Sequence, residues 1–438
     1  MGGASSPDPF LSFLSFFAAN DLFSFFVLLE LVIIREIRGI RSSFISFFLC
    51  GDPRLNSVYN LPEMPSIQNR EIIIIGAGPA GSSAAYDLAR AGRRPLLLEK
   101  DRVPGEKNAC AGGIPYLMKD HLNLPPEVID KEIHVTRLSC RGKTKDYRTP
   151  RPQYISVQRR VFDRFLAFRA RDAGAELLTS HLVTRVEPRG NIVMALDLKR
   201  KEEVSFRAPL ILFADGPLTR ARSSFGLGCS VGEMVASVAY ELAAPGNREE
   251  AFEFYFGGER GRDASGYFWN FPKKDSLNVG MGRMKRFAKN PLAEELQGFI
   301  DRHPRFRGKP ILRKQAGLVP MKMAPRFSGE GALLLGDAAG LVNPLTGGGL
   351  IYAIASGEIA ALAARQALEA RSFRAEDLYD AYDRAFRRTN YWRWLWLMAI
   401  PYRFVERRTE KGMYSWYPEI LRAFLAVSFL SLRLLKKL

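Results

Sequence analysis

Cysteine and histidine are scarce in this chain of 438 residues, with four of each. Cys50, Cys110, Cys140 and Cys229 form no CxxC pair, and His121, His134, His181 and His303 are scattered. A structural metal or iron-sulfur centre is therefore not expected, and so few cysteines suit a reducing compartment better than a disulfide framework. The Gly-x-Ser-x-Gly at 228–232 leads into the strand expected over 233–242 and not into a helix, so it is not the strand-to-helix elbow of a serine hydrolase. A second GxGxxG is also missing, which argues against a separate domain for a second dinucleotide. The apolar N-terminal run over 10–34 has no basic residue before it and makes a poor signal peptide.

What is present starts with residues 71–100, EIIIIGAGPAGSSAAYDLARAGRRPLLLEK. Ile72–Ile75 is too short for a helix and apolar on both faces, as a central parallel strand requires. Gly76, Gly78 and Gly81 follow at GxGxxG spacing: a tight turn, a close approach of backbone to a pyrophosphate, and close helix-to-strand packing. A helix is expected over 82–91 with its N-terminal amides toward phosphate, then a strand over 95–98 that closes on Glu99, placed to accept hydrogen bonds from a ribose. Strand, glycines, helix and acid together predict a dinucleotide-binding unit.

Further on, Cys110 is followed by Ala111, Gly112 and Gly113, small residues that let backbone lie against a planar ring. A helix is expected over 157–173, with Arg159 at its start able to reach a phosphate. Strands are expected over 176–178, 182–186 and 210–214, the last ending in Asp215-Gly216 with Arg222 beyond. Tyr267, Trp269 and Phe271 alternate along one strand and share a face, either as core or as an aromatic wall for a long apolar ligand. Pro272 and Lys273 end that strand, and 277–281 returns as its hairpin partner. With 233–242 and 252–256, these residues read as a second, antiparallel sheet. After a buried strand over 332–335 come Gly336 and Asp337, and 344–349 leads into a long helix over 350–368.

The glycine loop with Glu99, Arg159 with Phe162-Asp163, Asp215-Gly216 with Arg222, and Gly336-Asp337-Ala338-Ala339 resemble the flavoprotein group that includes p-hydroxybenzoate hydroxylase. Cys110-Ala111-Gly112-Gly113 and Tyr267-Phe268-Trp269-Asn270-Phe271-Pro272-Lys273, which matches a YxWxFPK signature, narrow the resemblance to the geranylgeranyl reductase branch. The likeness spans about 70–370. It implies an α/β, two-part flavoprotein: a Rossmann-like FAD-binding domain (69–225 and 310–370) with an antiparallel-sheet substrate domain (226–309) and a helical C-terminal region (371–438). It implies FAD held by Gly76, Ala77, Gly78, Pro79, Ala80, Gly81, Glu99, Lys100, Cys110, Ala111, Gly112, Gly113, Arg159, Val183, Asp215, Gly216, Gly336, Asp337, Gly347, Gly348, Gly349 and Leu350. Tyr267, Trp269, Phe271 and Pro272 would hold an isoprenoid lipid, and Cys110 would serve as a proton-relay or gating residue. Where the family has TGEG, this chain has Thr346-Gly347-Gly348-Gly349, so no role of that Glu is carried over. The implied activity is reduction of prenyl carbon-carbon double bonds, with NADPH or a reduced ferredoxin-type carrier as donor. Monooxygenases of the same fold and quinone-linked flavoproteins are the alternatives.

The formal charge is +18, and residues 384–438 hold twelve Lys or Arg against three Glu, half of the excess. That concentration points to a membrane surface rather than to nucleic acid. Tyr391 to Met398 holds three of the five tryptophans, and a helix over 420–438 would carry a basic stripe opposite Leu, Phe, Ala and Val. The expected location is therefore cytoplasmic, peripheral on the membrane. The segment 1–68 is read as either an anchor or sequence ahead of a start at Met64.

Overall fold

The computed structural model describes residues 66–410 apart from 107–109, 141, 258–262 and 285–289. The apolar run over 10–34 and the basic helix expected over 420–438 lie outside the described residues. In chain order the elements that position the site are β1 (Ile72–Ile75), α1 (Pro79–Arg90), β2 (Leu96–Leu98), β3 (Val135–Cys140), β4 (Lys143–Arg148), α2 (Arg159–Asp172), β5 (Glu176–Leu178) and β6 (Leu210–Phe213). They continue through β7 (Met234–Ala243), β8 (Ala251–Gly257), β9 (Asp263–Pro272), β10 (Ser276–Met284), β11 (Ile311–Pro320), β12 (Ala332–Leu334), α3 (Leu350–Ala370) and α4 (Asn390–Glu410).

Strands β12, β6, β1, β2 and β5 lie side by side in parallel, with Ser328–Gly329 as an antiparallel edge on β12. Every residue of β1, β2 and β6 is buried, which explains their unbroken apolar sequence: helices cover the faces that an antiparallel sheet can leave to water. Helices α1 and α3 approach closely because their contact is built of small residues. A Cβ on Gly357 would lie 2.3 Å from the Ala80 carbonyl, and Ala84, Ala353, Ala360 and Ala364 fill the same layer.

The second sheet runs β11-β7-β10-β9-β8-β3-β4, antiparallel throughout except where β8 meets β3. It draws in Val135–Cys140, Lys143–Arg148 and Ile311–Pro320 from outside 226–309, so the sheet is assembled from three separate stretches of chain. A smaller four-stranded sheet, Ile67–Asn69 with His181–Glu187, Ile192–Asp197 and Glu202–Arg207, carries Val183 at a register shift.

Candidate active site

The glycine loop leaves β1 at Gly76, whose φ of +99° and a Cβ position only 2.4 Å from the Ala214 carbonyl leave room for glycine alone. A Cβ on Gly81 would stand 2.0 Å from the Gly76 carbonyl, whereas one on Gly78 would meet nothing within 4 Å. The Gly78 side of the loop is thus an open cradle, and α1 behind it has no side-chain cap on its first amides. The helix starts at Pro79, three residues before the expected 82, because proline suits the first helical position and forfeits no bond there. Glu99 is buried at the end of β2. Its Oε2 accepts the Ala77 amide at 2.8 Å and its Oε1 the Asp101 amide at 2.9 Å. Burial raises its pKa, and the two amides oppose that rise. Asp215 Oδ2 accepts the Arg220 amide at 2.7 Å, while Oδ1 is buried without a protein partner. An open cradle, free helix amides and an orphaned carboxylate oxygen fit a bound dinucleotide. Lys100 is exposed and Val183 is buried.

Asp337 lies where the chain turns from β12 toward α3, and a Cβ on Gly349 would come within 3.2 Å of its Oδ1. Burial pushes its pKa up to about 6 against the pull of Arg159. The 344–349 loop that caps α3 is tied by the Asn343 carbonyl, which accepts from Gly347 at 2.8 Å, by Asn343 Oδ1, which accepts from Leu345 at 3.0 Å, and by the Tyr267 hydroxyl, which donates to the Thr346 carbonyl. Gly347, at φ +68°, and Gly349 form the turn; Gly348 is exposed.

Cys110 is half-buried beside Arg159. The guanidinium donates to both oxygens of Asp163 at 2.7 Å and lies near the Cys110 sulfur, which accepts the Gly112 amide at 3.4 Å. Burial works to lower its pKa, and Asp163 and Cys110 outweigh that, leaving it raised. Arg159 pairs with Asp163 through Nε and one terminal nitrogen; the sequence suggested that it reaches a phosphate. The glycines beside Cys110 are explained by protein neighbours: a Cβ on Gly112 would collide with the Val157 carbonyl at 2.1 Å, and one on Gly113 with the Phe271 ring at 2.7 Å.

The Cys110 segment and the 344–349 loop meet at one cavity, which holds about 1500 Å³ of empty space up to and including its mouth; the glycine loop, Glu99, Arg159, Asp215 and Asp337 are not in its lining. Cys110 to Gly113 and Thr346 to Leu350 form one end. Tyr267, Trp269 and Phe271 form the sheet wall, joined by Phe252, Phe254 and Met284. Phe252 stacks on Phe271 with centroids 3.9 Å apart, and Trp269 donates from Nε1 to Asn278 Oδ1 at 2.9 Å. Trp269 needs the bare Gly280 opposite it, where a Cβ would stand 2.3 Å from the indole. Phe252 and Phe254, alternating on β8, carried the same signal as the β9 stripe and belonged in the expected wall.

Tyr402 of α4 also lines the cavity, and nothing local in the sequence signals it. Helix α4 turns Trp394, Leu395, Met398 and Tyr402 inward, while Trp392 packs on Phe327 and beneath Arg387. Of the three tryptophans of 391–398, only Trp396 is on the outside, because helical periodicity aims the others at the protein.

Two family models match the chain: FAD dependent oxidoreductase over residues 71–216 and geranylgeranyl reductase catalytic domain over 233–319. A digeranylgeranylglycerophospholipid reductase of Methanocaldococcus jannaschii is 31% identical over 329 residues, covering 73% of this chain and 83% of its own. A second such reductase, from Methanopyrus kandleri, is 32% identical over 311 residues, 68% of this chain and 78% of its own. The crystal structure of a geranylgeranyl bacteriochlorophyll reductase-like protein from Thermoplasma acidophilum superposes with a TM-score of 0.71 at 23% identity, over 81% of this chain and 90% of that one. A probable FAD-dependent monooxygenase from Pseudomonas aeruginosa shares the fold, with a TM-score of 0.59 at 17% identity over 81% of this chain and all of its own. The cradle of Gly78, the wall of β9 and these likenesses agree: the chain belongs to the geranylgeranyl reductase family of FAD-dependent oxidoreductases.

Proposed function

We propose that this protein saturates carbon-carbon double bonds in the geranylgeranyl or related polyprenyl chains of a lipid. The observation that carries this reading is the continuity of the cavity, an aromatic slot that runs from Tyr402 and Trp269 to Cys110 and Gly349. FAD, when bound, supplies the hydride that the alkene accepts. An unactivated alkene offers no oxyanion to stabilise, so the protein's contribution is to hold it dry and in register. Tyr267, Trp269 and Phe271 do the holding, while Pro272 is buried outside the cavity lining, and the 344–349 turn with the start of α3 presents backbone amides to the same cavity. Cys110, beside Arg159, is the nominated proton-relay residue.

The electron donor is NADPH or a ferredoxin-type protein, either one visiting the ring transiently, since the chain has a single dinucleotide motif. Among the described residues no helix is long and apolar enough to cross a membrane. Peripheral attachment on the cytoplasmic side is supported by the outer face of α4, where Arg393, Trp396, Leu397, Ile400, Arg403 and Arg407 are exposed. They fall within about 120° at 100° per residue, the mixture of basic and apolar side chains that an in-plane helix presents to anionic lipid. The decisive experiment is anaerobic: the reduced protein is mixed with candidate prenyl lipids, flavin reoxidation is followed and product mass is measured. A gain of two mass units per reduced bond is expected, and a flavin that stays bleached with every prenyl lipid would overturn the reading.

A further inference from the structure

Lys273 ends the aromatic strand β9 and is nearly cut off from solvent, with 3% exposure. Its Nζ donates to the Ala111 carbonyl at 2.7 Å, to Ser156 Oγ at 2.8 Å and to the Val157 carbonyl at 2.8 Å. Those bonds use all three donors of an ammonium, and all three partners are neutral. Asp130, Cys110 and Glu241 act on it only through space. A buried charge held by neutral oxygens is costly, and an apolar side chain of similar volume would fill the place more cheaply. The chain also keeps the place open: Gly112, at φ +71°, would put a Cβ 2.9 Å from Nζ.

The two segments that Lys273 joins explain the cost. Ala111 follows Cys110, while Val157 lies two residues before Arg159, whose guanidinium lies near the Cys110 sulfur. One cation therefore braces the thiol and the group beside it. We propose that Lys273 is a positioning residue, whose ammonium holds the Cys110 segment and the start of α2 in the geometry that prenyl reduction requires. This rests on the reduction reading given above.

The brace depends on a proton. Burial lowers the Lys273 pKa to about 8, with Asp130 the first of the groups that oppose the fall. The charged and titratable groups facing it are Asp130 ahead of α2, Glu241 on β7 and Cys110, with Arg160 acting in turn on Asp130. Below about 8 the ammonium satisfies three acceptors. Above it a neutral amine has two N–H bonds for the same three, and one contact must be released.

The test uses the full-length holoenzyme as wild type, Lys273→Met and Lys273→Gln from pH 6 to 10. One readout is anaerobic reoxidation of the reduced enzyme by a digeranylgeranylglycerophospholipid; the other is the rate of Cys110 alkylation by iodoacetamide, read by peptide mass. Wild-type reoxidation should fall above about pH 8. Lys273→Met should keep its FAD, be roughly ten- to a hundredfold slower at pH 7, the loss that about 1 Å of misplacement brings, and show no alkaline limb. Its Cys110 alkylation rate should differ several-fold from wild type at pH 7, with the ratio closing toward one by about pH 9.5. Wild-type rate, limb and alkylation in Lys273→Met would overturn the proposal. Should the Met variant fail to fold, Lys273→Gln decides, since a persisting alkaline limb there contradicts the brace, as does a wild-type profile that stays flat to pH 9.5. Absence of lipid reduction by wild type would sink the functional reading alone. Alkylation then still judges Lys273, and equal rates at pH 7 in wild type and variants would dismiss it.

Discussion

Gly78 and Gly81 stand three positions apart and are glycine for different reasons. At Gly81 a Cβ would strike the loop's own backbone, whereas at Gly78 it would enter the space left for a phosphate. Gly78→Val should therefore give a folded, colourless protein, and Gly81→Val should lose soluble protein altogether; stoichiometric FAD in folded Gly78→Val would refute the cradle. Asp337 offers a pH test. Its folded pKa is raised to about 6, so through the window from the ordinary carboxyl range up to about 6 the folded state holds a proton that the unfolded chain has released. Stability from this group is thus lost as the pH rises. Asp337→Asn should raise the melting temperature of the apoprotein by a few degrees at pH 7 and by almost nothing at pH 4, seen by calorimetry, while weakening FAD. Cys110→Ser should retain flavin yet slow reoxidation by prenyl lipid; an unchanged rate would make Cys110 a packing residue. The glycine spacing was legible because the turn at Gly76 and its approach to Gly81 fall within six residues, although Ala214, which also crowds Gly76, comes from the distant end of β6. The Cys110–Arg159 contact was not, since 49 positions separate partners that only the folded sheet brings together.

Strand β9 shows what an element can and cannot announce. Its alternation placed Tyr267, Trp269 and Phe271 on one face, and the structure keeps that face on the cavity. Trp269→Ala should bind FAD normally and lose about a hundredfold in kcat/KM, the worth of a few kcal/mol of aromatic burial. Gly280→Val should mimic it by displacing the indole, and a variant with intact turnover would return the stripe to plain core. The helix pair tells the opposite story. In α3 the alanines face nearly all round, so periodicity could not reveal that Gly357 is the point of closest approach to α1. The inward half of α4 was equally silent, because a helix with apolar residues on both faces does not declare which side is covered.

For the molecule as a whole, the slot lies against the antiparallel sheet while the glycine loop belongs to the parallel one, and the charge excess gathers toward one end of the chain. Wild type should pellet with anionic vesicles and be partly released by salt. Trp396→Asp with Ile400→Asp should reduce pelleting several-fold without loss of flavin, and equal pelleting would place the membrane contact elsewhere. Fold class and cofactor half were readable because each parallel strand with its following turn is a short apolar run that signals itself locally. The limits of the second sheet were not, since β3, β4 and β11 are recruited from outside 226–309 by pairing alone.

The position of Tyr402 on the cavity wall has a consequence for synthesis. The cradle for FAD needs β12 and α3 and so can close once residue 370 has emerged from the ribosome, whereas the slot for a prenyl chain lacks a wall until α4 follows. On the function proposed above, the nascent protein would take up its flavin before it could take up a lipid. A nascent chain arrested between these points should be yellow and indifferent to prenyl substrate, which separates the order of assembly from the order of catalysis.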